Sequence, residues 1–293
     1  MGSYRSKGKE PIPFAVHSPD ELFGRHRESV RLALQGESPR MVIYFPITDS
    51  VGMWGYSNPN ASTAVCLTNR YLILTRDYHD QQQPLIKRIP LEQILNIEFG
   101  SALLLGWFRC IFLSKPHQTE IVDILFNSRI LPTVEELVNI WWGKLHIHST
   151  CNLNKKLHDC TTGTISQIPV DDSPIKQLNL PVQLEGKGRQ RVIRSHPIYL
   201  YLTARGLIIH TVETSVNPKE ITFAERWSLW NPRILEFTLR LETSEKGIFI
   251  QFAKDGEVNF SYSVYPAKHL EEKLKNDLSE CNSIFNIREG PSR

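Results

Sequence analysis

Apolar residues recur along this chain mostly in short strand-length runs, with clear alternation in the one from Ile234, and only rarely at helical spacing. Met41 to Ile47, Val65 to Thr75, Leu95 to Phe99, Gly106 to Leu113 and Thr119 to Phe126 read as strands, separated by stretches rich in Gly, Pro, Asn and Gln. Within Val65 to Thr75 the Asn69-Arg70 pair reads as a hairpin turn. The pattern then changes period. Leu131-Pro132-Thr133 opens a helix in which Val134, Leu137, Val138, Trp141 and Leu145 share one face. An earlier helix is expected to start at Ser18-Pro19-Asp20-Glu21, with Ser18 as cap, and to end before Gly36. It gathers Leu22, Val30 and Leu34 on one side, with His26 between them.

The same order of events returns in the second half. Leu67-Thr68-Asn69-Arg70-Tyr71-Leu72-Ile73-Leu74 is echoed by Leu202-Thr203-Ala204-Arg205-Gly206-Leu207-Ile208-Ile209, a spacing of about 135 residues. Solenoid repeats run roughly 20 to 50 residues, so this spacing indicates two tandem domains of one fold. Strands are expected over 191–196, 198–203, 207–212, 221–230, 234–241, 247–252 and 258–264. A helix started by Pro266 follows, with Leu270, Leu274 and Leu278 in line. The expected organisation is a basic N-terminal stretch over 1–17, a first domain with its preceding helix over 18–145 and a linker over 146–180. A second domain over 181–281 and a tail over 282–293 complete it.

Composition narrows the function classes. The chain has 293 residues and is 41% hydrophobic and 22% charged, enough for real cores. Its net charge of +3 is too small to imply nucleic acid, and its basic residues are not interleaved with aromatics as in an RNA-binding motif. No apolar run approaches the roughly 18 residues that span a bilayer. No apolar leader stands at the N-terminus, and five cysteines do not form a disulfide framework. A cytoplasmic protein is expected. There is no glycine-rich phosphate loop, no Gly-x-Ser-x-Gly and no His-Glu-x-x-His, so neither catalysis nor a cofactor is expected.

Strands followed by one C-terminal amphipathic helix resemble the pleckstrin-homology (PH) outline, and the motifs resemble the bacterial-type PH and GRAM families. Three stretches carry the resemblance: Leu67 to Leu74, the Pro90-Leu91-Glu92-Gln93-Ile94 step, and the apolar turn Ser101-Ala102-Leu103-Leu104-Leu105-Gly106. It covers about residues 40 to 145. The second copy lacks the Pro-Leu-x-x-Ile step and replaces the Asn-Arg turn by Ala204-Arg205-Gly206. The implied fold is mainly β (α+β): two tandem PH/GRAM-like barrels, each a bent antiparallel sheet with a C-terminal helix. The implied function is a non-enzymatic peripheral membrane adaptor for anionic lipid or phosphoinositide. The alternative is a protein-interaction scaffold of the same fold with no lipid contact.

Candidate site residues follow. Lys187, Arg189 and Arg191 alternate, so a strand would aim them to one side, with Arg194 just beyond; this resembles the basic cluster by which PH domains hold phosphoinositides. A solvated basic edge strand would have the same sequence. Lys87 and Arg88 form a smaller basic pair in the first domain. Leu103, Leu104, Leu105 and Trp107 either fold back on their own sheet or stand out as a membrane or partner loop. Met1-Gly2 with Ser6, Lys7 and Lys9 resembles a myristoylation signal acting at Gly2, or matches it by chance. His146, His148, Cys151, His158 and Cys160 are metal-capable types, but their spacing matches no zinc pattern, so no metal is expected.

Overall fold

A computed structural model describes residues 14–46, 61–78, 80–115, 118–145, 169–170, 172, 174–180, 183–185, 192–203, 205–213, 224–231, 238–244, 247–254, 257–264, 276 and 279. The fold is mainly β with few helices. The chain divides into two compact units: Met1–Ile94 with Leu103–Lys144, and Leu95–Ala102 with Leu145–Arg293. Among the described residues no helix is long and apolar enough to cross a membrane.

In the first unit, strands β1 (Phe14–Val16), β2 (Met41–Phe45), β3 (Ala61–Leu67), β4 (Tyr71–Tyr78) and β5 (Leu85–Pro90) form one antiparallel sheet in that order. Strands β7 (Leu105–Lys115) and β8 (Gln118–Asn127) make a long hairpin, and α2 (Leu131–Lys144) follows. All seven residues of β3 are buried, so both faces of the sheet are covered there. One face carries the small side chains Ala64 and Cys66 beside Val42 and Ile73. Against it lie Leu22, Val30, Ala33 and Leu34, the last three from α1 (His26–Leu34). The other face holds Ile43, Phe45, Leu72 and Leu74, all buried, and the Phe45 ring meets Phe126 of β8 at 5.5 Å.

The first helix is shorter than expected. Ser18 does cap, accepting from the Asp20 N–H at 3.0 Å, but what it opens is a single 3-10 turn, Pro19–Glu21. Gly24 at φ +56 breaks the chain direction, and α1 starts afresh at His26. Left-handed backbone is nearly free for glycine and interrupts a helix. The helix ends through Gln35 and Gly36, both at positive φ. Two side chains dock it. The Arg25 guanidinium binds the Asp77 carboxylate and donates to the Gln81, Gln82 and Tyr78 carbonyls at 2.8, 2.7 and 3.1 Å. Buried His26 bridges two hydroxyls, Nδ1 to Thr75 Oγ1 at 2.7 Å and Nε2 to Ser62 Oγ at 2.8 Å. Burial holds its pKa down at about 4, opposed by the Asp77 charge and assisted by Arg25.

In the second unit, β6 (Ile94–Ala102), β14 (Ala224–Trp230), β13 (Leu207–Glu213), β12 (Ile198–Thr203) and β9 (Pro174–Leu180) are neighbours in that order, all antiparallel. Strands β10 (Gln183–Glu185) and β11 (Val192–Ser195) pair as a hairpin. Strands β15 (Thr238–Ser244), β16 (Gly247–Lys254) and β17 (Glu257–Val264) form a three-stranded sheet. The expected helix from Pro266 lies outside the described residues save 276 and 279. Two boundaries differ from expectation. β9 falls in the stretch read as linker, because Pro174-Ile175-Lys176-Gln177-Leu178-Asn179-Leu180 lacks strict alternation, yet its backbone pairs with β12. β6 falls within 18–145 but belongs to the second unit, where Phe99 faces Trp227 and Asn96 donates to Ser228 Oγ at 2.9 Å. The expectation of closed barrels is not met by the described strands: the sheets are open, because the strands at their ends do not pair with each other.

The internal repeat extends to the hydrogen bonds. Met41 faces Leu67 and Leu67 faces Leu72; Lys176 faces Leu202 and Leu202 faces Leu207, each 135 positions later. The turns also match. The Thr68 hydroxyl accepts from the Arg70 and Tyr71 N–H groups at 3.2 and 2.9 Å, and that of Thr203 accepts from the Arg205 and Gly206 N–H groups at 3.1 Å each. Arg70 pairs with Glu37 and Arg205 with Asp172, both across 33 residues. Leu207 and Ile209 are buried as Leu72 and Leu74 are.

Candidate functional site

The apolar turn stands out from the first unit. Leu103 and Leu104 link β6 to β7, and they are 69% and 68% exposed, so they do not fold back on the sheet. Leu105 and Trp107 are half-buried. The turn is held rather than loose. The Ser128 N–H donates to the Leu104 carbonyl and its hydroxyl to the Leu103 carbonyl, both at 2.9 Å. Leu103 sits at φ +55, a conformation that costs a non-glycine residue about 1–2 kcal/mol. Gly106 follows because nothing larger fits: a Cβ there would lie 2.3 Å from the Phe126 ring. Exposed Arg129 comes directly after Ser128 in the chain.

Lys87 and Arg88 do not act together. Adjacent strand residues point to opposite faces. Lys87 binds the Glu120 carboxylate and lies 5.6 Å from the Phe112 ring centre. Arg88 stacks 3.6 Å over the Tyr71 ring, donates to Gln35 Oε1 at 2.6 Å and approaches Glu37 at 3.5 Å. Each cation is already engaged within the unit. Hydrogen bonds and charge from Lys87, with a bond from Ser114, hold the Glu120 carboxyl below its usual range. The Thr68 hydroxyl first, then Arg70 and Arg88, do the same for Glu37. Lys187, Arg189 and Arg191 lie outside the described residues, in the connection between β10 and β11. Arg194 is placed on β11 by its backbone. Gly2 and the His146 to Cys160 group also lie outside. Among the described residues no cluster of His, Cys, Asp and Glu has the geometry to hold a metal. Cys66 and Cys110 are buried, and burial pushes the Cys66 thiol up to about 12 and raises that of Cys110 too, which disfavours the thiolate of both.

One convergence was not read from the sequence. Arg40 Nε and Lys144 Nζ both donate to Asn69 Oδ1, at 2.9 and 3.2 Å. Arg40 precedes β2, Asn69 is in the β3–β4 turn and Lys144 ends α2. The contacts span 29 and 75 residues, so no local motif carries them. Neither protein-family models nor curated proteins match this sequence.

Proposed function

We propose that the protein is a non-enzymatic peripheral membrane adaptor on the cytosolic face, built from two PH/GRAM-like modules and directed to anionic lipid. The observation that carries the reading is the exposed Leu103–Leu104 turn, whose carbonyls are held by Ser128. The order of sheet, hairpin and closing helix in the first unit supports the module type. Fully burying a leucine is worth about 1.5–3 kcal/mol, so two leucines about two-thirds exposed would gain roughly 2–4 kcal/mol in lipid. That is a marginal anchor. It needs a second contribution, at about 1 kcal/mol per basic side chain near an anionic surface or from an acyl chain at Gly2. Lys187, Arg189, Arg191 and Arg194 are the basic residues assigned to that role.

Co-sedimentation with phosphatidylcholine vesicles, with and without phosphatidylserine, tests this, using protein with and without an N-myristoyl group. Binding should rise with anionic lipid and with acylation. Leu103→Gly with Leu104→Ser should weaken it tenfold or more without loss of stability, because glycine accepts φ +55 freely. Replacing Lys187, Arg189 and Arg191 by Ala should cost about 3 kcal/mol, roughly a hundredfold. Wild-type protein that sediments with no vesicle, even when acylated, would refute the membrane reading and leave the protein-interaction scaffold.

A further inference from the structure

We infer that Arg40, Asn69 and Lys144 form a binding site for a phosphate-type anion on the first unit, independent of the Leu103–Leu104 turn. The geometry is unusual in its charge balance. Arg40 Nε and Lys144 Nζ are no farther apart than the sum of their 2.9 and 3.2 Å bonds to one neutral oxygen, Asn69 Oδ1. Like charges that close repel, and an amide oxygen offers each only a dipole. The other cations nearby are matched to carboxylates: Arg70 and Arg88 share Glu37, Lys87 has Glu120 and Arg25 has Asp77. Among the described residues no carboxylate pairs with Arg40 or Lys144. Glu37, three residues before Arg40, already accepts from Thr68 Oγ1 at 2.6 Å as well as from Arg70 and Arg88.

The three groups come from different elements whose backbones bring them together. The Arg40 N–H donates to the Leu67 carbonyl at 2.7 Å, which sets its backbone at the mouth of β2. Asn69 sits in the turn that the buried Thr68 hydroxyl closes. Lys144 ends α2, where its charge suits the negative end of the helix dipole. All three side chains are exposed. A phosphate monoester replaces the Asn69 oxygen as acceptor for the guanidinium and the ammonium. The freed amide can turn its Nδ2–H groups toward a third phosphate oxygen. Arginine and lysine together, with an amide donor, match a tetrahedral dianion better than a planar monoanionic carboxylate. Arg70, exposed at the rim, adds positive potential although Glu37 holds it. The phosphate could belong to a soluble ester or to a lipid headgroup.

The test uses the full chain and two probes. Calorimetric titration with inositol 1-phosphate reports a soluble ester. Sedimentation with phosphatidylcholine vesicles containing phosphatidic acid, against phosphatidylserine vesicles of equal charge, reports a lipid phosphomonoester. Arg40→Gln with Lys144→Gln should lower binding of whichever probe binds by tenfold or more. Arg27→Gln with Lys115→Gln removes the same charge from exposed positions elsewhere and should change it less than twofold. Asn69→Asp should abolish binding while raising the melting temperature, because the new carboxylate occupies the site itself. Preference for the soluble ester assigns a free ligand, and preference for phosphatidic acid over phosphatidylserine assigns a headgroup. The inference is overturned if wild type binds neither probe, or if the Arg40/Lys144 variant and the control variant bind alike.

Discussion

His26 should make the first unit sensitive to mild acid, and the size of the effect follows from its surroundings. Its imidazole is 1% exposed and spends both nitrogens on the Thr75 and Ser62 hydroxyls. Burial lowers its pKa from 6.5 to about 4. Between these values the unfolded chain binds a proton that the folded one does not, so stability rises with pH across the window. The contribution is complete above about pH 6.5 and falls away as pH drops toward 4. Over the whole window it amounts to about 3 kcal/mol, and about 2 kcal/mol of that is gone at pH 5. The assay is urea unfolding at pH 7 and pH 5, followed by amide exchange of β3 and β4, for wild type and His26→Gln. The variant should be less stable at pH 7 and should lose about 2 kcal/mol less on acidification. In the native protein the His26 ring resonances should not titrate above pH 5. Parallel losses in wild type and variant, or a His26 titration near 6.5, would show that the imidazole is not buried against the sheet.

Thr68→Val and Thr203→Val each remove a hydroxyl that accepts two backbone N–H groups, so each should cost about 1–3 kcal/mol by denaturant unfolding. A neutral Thr203→Val beside a costly Thr68→Val would refute the equivalence of the two turns. Gly106→Ala drives a methyl into the Phe126 ring and should cost about 1–3 kcal/mol; an unchanged melting temperature would show that the β7–β8 hairpin opens there easily.

By itself the sequence determined the local features. Apolar runs placed β2, the 65–67 part of β3, β4, β7, β8, β12 and β13, and Leu72, Leu74, Leu207 and Ile209 are buried as expected, together with Ile73 and Ile208 between them. Helical spacing found the buried face of α2, and the repeated Leu-Thr-x-Arg stretch found two turns with the same hydrogen bonds. These features depend on neighbours a few residues away, which periodicity records directly. Tertiary structure decided everything that depends on a distant partner. It paired β6 with β14, strands more than a hundred residues apart. It recruited the polar-looking β9 into a sheet, turned Leu103 and Leu104 outward, gave Lys87 and Arg88 separate acids, and brought Arg40 to Lys144. Periodicity specifies which face a residue occupies. What stands opposite that face is settled only when the whole chain has folded.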